Sequence, residues 1–326
     1  MGEFELLARI RERLAPQGPR VRVGMGDDAA VTVPGGATAT SVDAVVDGVH
    51  FRREDAEPAQ VGHKALATAL SDLAAMGAEA GEAYVALGVP PGMSEDECVE
   101  LIDGIAALAE RTGTTLAGGD VTRAAALTVV TTVVGHAAAP EMLVTRAGAR
   151  AGDALVLSGE IGGAAAGLAL LERPELASAM SAETAERLRA RQLQPHPRLR
   201  AGCALARAGA SAMIDLSDGL GADASHLAEE SGVGIRIDAD AVPLAEGVAE
   251  VAAAAGGDPL QMAASGGEDY ELLAALPRER MAEIGAVAAE AGARLTLIGE
   301  VVEGKGVEIR RPGLPALEPS GFDQLR

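Results

Sequence analysis

The chain has 326 residues, 48% of them hydrophobic, and 48 Asp and Glu against 27 Lys and Arg, for a formal net charge of −21. That length buries a sizeable core and suggests two domains, and no apolar run is long enough for a transmembrane helix, so no membrane partner is expected. Such a charge without a basic patch argues against nucleic acid and favours divalent cations, or anions carried in with them. Cys98 and Cys203 lie far apart and form no C-x-x-C, so reduced thiols are expected and neither a disulfide framework nor a zinc ribbon is indicated. The acidic start, Met1-Gly2-Glu3-Phe4-Glu5, lacks a signal-peptide pattern, which gives a cytoplasmic expectation.

Glu5 to Leu14 has the spacing of a short amphipathic helix with Leu6, Leu7, Ile10 and Leu14 on one side. Val21-Arg22-Val23 and Ala29 to Val33 read as strands around Gly24-Met25-Gly26-Asp27-Asp28, a glycine-rich turn whose acids an ordinary solvated turn also explains. The strand Thr38 to Val46 carries Asp43 inside a β-branched run, where a carboxylate needs a partner. His50 follows it and, taken alone, reads as a hydrogen-bonded structural histidine. Ala59 to Ala78 has the pattern of a buried helix, apolar nearly all round, with Asp72 on a face of small residues. After a strand at Ala83 to Val89, Ser94-Glu95-Asp96-Glu97 is a capping box opening a helix to about Arg111. Thr114 to Ala117 reads as a strand entering Gly118-Gly119-Asp120, where two glycines let the backbone approach a ligand and the acid can hold a metal. Leu127 to Val134 is a β-branched strand, and Ala137 to Pro140 suggests a domain joint ahead of Arg146-Ala147-Gly148.

The second half opens with a strand at Ala154 to Leu157 and a helix at Gly162 to Leu171, then polar helices at Ala182 to Gln194 and Arg198 to Ala208. Ala210 to Ile214 is a short apolar strand, and Leu220, Ala224, Leu227 and Ala228 recur at helical spacing until Gly232. Ser217 or Asp218 is the expected N-cap of that helix. Capping leaves Asp215 unexplained, because a carboxylate between Ile214 and Leu216 is costly unless paired or metal-bound. A strand at Gly234 to Asp238 and a helix near Ala245 to Ala255 precede Ser265-Gly266-Gly267-Glu268-Asp269-Tyr270-Glu271, a second glycine-pair loop running into a strand. A helix at Glu279 to Ala291 and strands at Leu295 to Val301 and Val307 to Arg310 follow. Leu70-Ser71-Asp72 before Gly118-Gly119-Asp120 faintly echoes Leu216-Ser217-Asp218 before Gly266-Gly267-Glu268, as a duplicated architecture would.

Asp27, Asp28, Asp43, Asp72, Asp120, Asp215 and Asp218 therefore stand out at strand ends, glycine turns or apolar faces. Were they to converge without cations, each close pair would cost roughly 4 kcal/mol at about 4 Å and an effective dielectric of about 20. All-oxygen ligands with no Cys or His cluster favour Mg²⁺ or Mn²⁺ over zinc, and Mg²⁺ on a few carboxylates completes its shell with water and phosphate, which points to a nucleotide. The chain has no P-loop, no protein-kinase motif set and no G-x-G-x-x-G in a dinucleotide context, so an ATP site here is of another type.

Gly26-Asp27-Asp28-Ala29-Ala30, Ser41-Val42-Asp43 with His50-Phe51, Leu70-Ser71-Asp72-Leu73-Ala74-Ala75-Met76-Gly77-Ala78, Gly118-Gly119-Asp120-Val121-Thr122-Arg123, Ile214-Asp215-Leu216-Ser217-Asp218-Gly219-Leu220 and Ser265 to Leu272 together span nearly the whole chain. In that order they resemble the thiamine-monophosphate kinase family, of the superfamily that includes aminoimidazole ribonucleotide synthetase. The resemblance implies a two-domain α/β fold of the α+β type. Residues 1–139 would form a mixed-sheet domain for ATP and Mg²⁺ binding and dimerisation, and residues 140–326 a C-terminal α/β domain. It implies ATP-dependent phosphorylation of thiamine phosphate to thiamine diphosphate with several Mg²⁺ ions, by a homodimer formed through the N-terminal domains.

Position by position, Asp28, Ser41, Val42, Asp43, Asp72, Asp120, Asp215 and Asp218 match metal-site positions, with Asp43, Asp72, Asp120 and Asp218 carrying catalysis. Gly119, Asp120, Arg146 and Ser217 match nucleotide contacts, and His50, Glu268 and Phe322 match positions facing the thiamine moiety. Val42 stands where the family has threonine, a harmless change if the ligand is the backbone carbonyl; Phe322 stands where tyrosine is common, which keeps a ring and loses a hydroxyl. A sister enzyme activating an amide or selenide, a Mg²⁺-dependent phosphohydrolase and a non-catalytic nucleotide-binding subunit are the alternatives. The Glu268 loop with His50-Phe51 favours the thiamine kinase over the sister enzymes.

Overall fold

The structure is a computed structural model, described here for residues 6, 9, 10, 12–14, 18–24, 30–311, 313, 315, 317 and 321. The chain divides into two compact units, one of Met1–Leu73 and Ala78–Pro140, the other of Ala74–Gly77 and Glu141–Arg326. Each is a mixed sheet with helices, an α+β architecture.

In the first unit Leu6 and Ile10 are buried and residues 9–10 and 12–13 are helical, as the amphipathic spacing requires; Leu7 lies outside the described residues. Strands β1 (Val21–Val23) and β2 (Val31–Thr32) pair antiparallel, and the turn carrying Asp27 and Asp28 lies outside the described residues. Strands β3 (Ala37–Val46), β4 (Glu79–Val89), β5 (Thr115–Arg123) and β6 (Thr128–Ala137) form one sheet in the order β3-β6-β4-β5, antiparallel except for β4 with β5. Helix α1 (Pro58–Ala75) is buried without a break from Val61 to Leu70, the fate of a helix that is apolar all round. Helix α2 (Glu95–Thr112) starts on the expected capping box, with Ser94 Oγ accepting from Glu97 N at 3.2 Å and the Glu97 carboxylate accepting from Ser94 N at 2.6 Å. The two helices cross backbone to backbone. A Cβ on Gly62 would stand 1.9 Å from the Leu101 carbonyl oxygen, and one on Gly104 would stand 1.9 Å from that of Ala59.

The second unit is built on a six-stranded sheet of β7 (Ala154–Ser158), β8 (Ala212–Asp215), β9 (Gly234–Asp238), β10 (Leu272–Leu276), β11 (Leu295–Val302) and β12 (Gly306–Arg310), in the order β12-β9-β11-β7-β10-β8. Helices α3 (Gly163–Glu172), α4 (Ala182–Leu193), α5 (Leu199–Arg207), α6 (Leu220–Ser231), α7 (Val248–Ala254), α8 (Pro259–Ser265) and α9 (Ile284–Ala291) surround it. Leu220, Ala224, Leu227 and Ala228 of α6 join Ile214, Ile235, Ile237, Leu273 and Ile298 of the sheet in one buried core, so the helical stripe read from the sequence is the face that packs.

Three expectations change. Helix α8 was hidden by the punctuation Gly256-Gly257-Asp258-Pro259, although Asp258 caps it by accepting from Gln261 N and Pro259 opens it. The helix expected from Glu279 is a 3₁₀ segment, Arg278–Glu283, that becomes α-helical only at Ile284. The internal echo is not a structural repeat: Asp72 lies inside a helix and Asp120 inside a strand, whereas Asp218 and Glu268 lie in loops.

Candidate active site

In the first unit, strand alternation sends Ser41, Asp43 and Val45 to one face of β3 and leaves Val42 on the other, 61% exposed. Ser41 Oγ donates to Asp72 Oδ2 in a short contact, which joins two expected ligand positions across β3 and α1. The glycine pair is not the loop the sequence suggested: Gly118, Gly119 and Asp120 lie within β5, parallel to β4. The close approach Gly119 permits is to its neighbour strand, because a Cβ there would stand 2.2 Å from the Val85 carbonyl oxygen. Asp43 and Asp120 are not brought together. They ride on the two outer strands, three strand spacings or about 14 Å apart. Register partners share a face, and Asp43 aligns with Thr131, Val85 and Gly119, so Asp120, aligned with Ala86, points to the opposite side.

His50 sits in the turn after β3. Its Nδ1 accepts from Val46 N at 3.1 Å, placing the proton of the neutral ring on Nε2, and its carbonyl accepts from Nζ of the buried Lys64 at 3.0 Å.

In the second unit, two loops are bonded to each other. Asp215, 2% exposed, ends β8 opposite Leu272, and the chain then runs through Leu216, Ser217 and Asp218 into α6. Leu216 N donates to Glu271 O at 2.8 Å, Glu268 N to Ser217 O at 2.8 Å, and Tyr270 N to Leu216 O at 2.9 Å. A Cβ on Gly267 would stand 2.1 Å from Ser217 O, so only glycine permits this contact. The expected capping by Ser217 or Asp218 does not occur. The N-cap is Gly219, with φ 112°, and the acceptor is Asp223 Oδ2, which takes Asp218 N and Gly219 N at 3.0 Å each. Asp223 is 2% exposed; burial, with the charges of Asp215 and Asp218, pushes its carboxyl up to about 8 against the pull of the two N–H bonds. A cation beside Asp215 and Asp218 would relieve that repulsion.

The glycine-pair loop is strained and anchored. Glu268 (φ 69°) and Tyr270 (φ 50°) are the two non-glycine residues with positive φ among those described, a conformation costing on the order of 1–3 kcal/mol each unless the surroundings impose it. The Glu268 carboxylate accepts from Nε2 of the buried Gln192. Asp269 accepts from Gly162 N at 2.7 Å and Ala164 N at 3.1 Å at the start of α3; burial of the carboxyl pushes it up to about 7. Glu271, 1% exposed, takes a two-pronged bond from Arg198 and another from Ser158 Oγ at 2.6 Å.

Gly321 lies against the Asp218 turn at the start of α6, where a Cβ would stand 2.7 Å from Asp218 O; Phe322, like Asp28, lies outside the described residues. Arg146 is exposed, and its carbonyl accepts from Ser231 Oγ at 2.9 Å. It therefore stands at the C-terminal end of α6, about 18 Å along the helix from Ser217. Among the described residues no group of three Asp, Glu, His or Cys is arranged to hold a metal ion. The donors at the expected positions are all oxygen, which suits a hard cation that keeps water and phosphate in its shell. Sequence reasoning missed Asp223, Gln192 and Arg198, and it took Asp269 and Glu271 only as part of an acidic loop.

Residues 26–137 match the AIR synthase related protein N-terminal domain, and residues 150–311 match its C-terminal domain. A thiamine-monophosphate kinase of Salmonella typhimurium is 38% identical over 329 residues, covering 99% of this chain and 98% of its own. The chain belongs to the thiamine-monophosphate kinases. The fold agrees with that family of enzymes: the kinase structure from Stenotrophomonas maltophilia K279a has a TM-score of 0.84 at 36% identity, covering 94% of this chain and 96% of its own. AaThiL complexed with AMPPCP and TMP has a TM-score of 0.77 at 31% identity, covering 87% of this chain and 86% of its own.

Proposed function

We propose that the chain transfers the γ-phosphoryl group of ATP directly to thiamine phosphate, giving thiamine diphosphate and ADP. The observation that carries this reading is the similarity to AaThiL, whose complex holds AMPPCP and TMP, along a chain that keeps the acid-bearing segments in order. The acceptor is a phosphate with a second pKa of about 6, already largely ionised near neutrality, so the protein needs no strong general base. Its task is to bring two polyanions together and align them. Asp28, Ser41, Val42 through its carbonyl, Asp43, Asp72 and Asp120 in the first unit, and Asp215 and Asp218 in the second, would hold Mg²⁺. Bound there, Mg²⁺ supplies charge neutralisation for the phosphates and for the transferring group.

The protein's own residues divide the remaining work. Ser41 orients the Asp72 carboxylate, and Asp223 fixes the backbone at Asp218. Arg146 and Ser217, at opposite ends of α6, fit the two ends of an extended nucleotide. Glu268 faces the positively charged thiazolium, His50 lies near the thiamine moiety and Phe322 covers a ring by cation–π contact. No side chain is required as a phosphoryl acceptor, so transfer proceeds in line without a phosphoenzyme. Because one copy holds Asp43 and Asp120 apart, a homodimer through the first unit lets Asp120 and Gly119 of one copy complete the site built on Asp43 of the other.

Incubation with Mg-ATP and thiamine phosphate, followed by chromatography, tests the reading. Equal amounts of thiamine diphosphate and ADP are expected, and none with EDTA. Free phosphate as the sole phosphoryl product would contradict it.

A further inference from the structure

We propose that Asp269 and Glu271, with Arg198 and Ser158, form a clamp that holds Glu268 in its left-handed conformation, which makes Asp269 and Arg198 positioning residues for the substrate-facing carboxylate. The inference rests on the role given to Glu268 above. A non-glycine residue stays at φ 69° only where its neighbours leave it no alternative, and here the second residue beyond it, Tyr270 at φ 50°, shares the constraint. The constraint has two identifiable anchors. Immediately after Glu268, Asp269 is tied to two backbone N–H groups at the start of α3, a site where a carboxylate is favoured by the helix terminus. Three residues after Glu268, Glu271 is buried and saturated by the Arg198 fork and Ser158 Oγ, which in turn accepts from Leu272 N at 2.8 Å.

One residue, Tyr270, separates those anchors, and its amide and that of Glu268 just before them are taken up by the carbonyls of Leu216 and Ser217. The Glu268 side chain can then leave the loop in one direction, where Gln192 meets it. The Glu271 anchor also meets the sheet, through Ser158 at the end of β7 and Leu272 N at the start of β10, whereas the Asp269 anchor lies outside it. The Asp269 bonds therefore fix the shape of the loop against the start of α3.

Calorimetric titration of the full-length protein with thiamine phosphate, in the presence of Mg²⁺, tests the clamp in a double-mutant cycle. Glu268→Gln and Asp269→Ala are each expected to weaken binding roughly tenfold, and the double variant no more than either, because Asp269 acts through Glu268. A double variant weakened by the product of the two losses, or Asp269→Ala binding like wild type while Glu268→Gln is weakened, would overturn the clamp and leave the role of Glu268 standing. Glu268→Gln binding like wild type would remove that role and the clamp with it. Should Asp269→Ala fail to fold, Arg198→Lys, which keeps the charge and loses the fork, takes its place in the cycle with the same expectations.

Discussion

In the first unit the candidate ligands ride on regular elements, Ser41 and Asp43 on β3, Asp72 in α1 and Asp120 on β5, whereas in the second only Asp215 does, at the end of β8, and Ser217, Asp218 and Glu268 ride on two irregular loops. A strand or helix positions its side chains through a ladder that exists anyway, so the first unit needs little beyond the Ser41–Asp72 contact. A loop has no such ladder. The second unit replaces it with carboxylates that accept backbone N–H groups, the buried Asp223 for the Asp218 turn and the half-buried Asp269 for the Glu268 turn, and with the Glu271–Arg198 fork. The cost of the first arrangement is spacing, since outer strands keep Asp43 and Asp120 apart; the cost of the second is burying acids, two of which are pushed far up from the ordinary 3.8.

The largest effect expected is on turnover. Asp43→Asn, Asp72→Asn, Asp120→Asn and Asp218→Asn should each lower kcat by roughly 10²–10³-fold or more with the melting transition retained, the scale of losing one preorganised electrostatic group. Near-wild-type rates in two of them would remove the metal-site assignment in both units. The spacing of the first unit gives a sharper test. Refolding Asp43→Asn and Asp120→Asn together should restore roughly a quarter of wild-type activity, because half the dimers are mixed and one of their two sites is intact. Activity no higher than that of either variant alone would contradict a site shared between copies.

Asp223 separates anchoring from charge. Asp223→Ala should lower turnover by roughly 10–100-fold, while Asp223→Asn, which keeps an acceptor for the two N–H groups, should lose much less. Equal losses would mean that the charge, not the acceptor, is what matters. The smallest effect expected is a pH dependence. Asp269 has a folded pKa of about 7 against an ordinary 3.8, so the folded state binds the proton more tightly. Its contribution to stability is then full below about pH 4, is lost as pH rises, and levels off above about pH 7. Asp269→Asn should flatten the denaturation midpoint between those pH values; an unchanged slope would contradict the burial of this carboxyl.

Asp43 and Asp72 stand out in the sequence because each breaks a local rule: Asp43 interrupts a β-branched strand, and Asp72 interrupts an apolar helix face. The α6 stripe and the Ser94 capping box were legible for the opposite reason, that local pattern and final packing agree. The anchors were not legible. Asp223 looks like any acid in a helix's first turn, although the amides it accepts are only four and five residues away; Gln192 and Arg198 look like polar residues of surface helices until the fold closes on them from more than seventy residues away. Gly118-Gly119-Asp120 and Gly266-Gly267-Glu268 read alike, yet one is strand and the other loop, because only the first has a parallel neighbour to pair with.

Direct transfer between the two bound phosphates is tested most plainly by a single-turnover experiment with ATP labelled in its γ-phosphate, excess enzyme, Mg²⁺ and thiamine phosphate. Label is expected to move from ATP to thiamine diphosphate at one rate, with none on the denatured protein at any time. Label passing through the protein, or released as phosphate without entering thiamine diphosphate, would contradict the account.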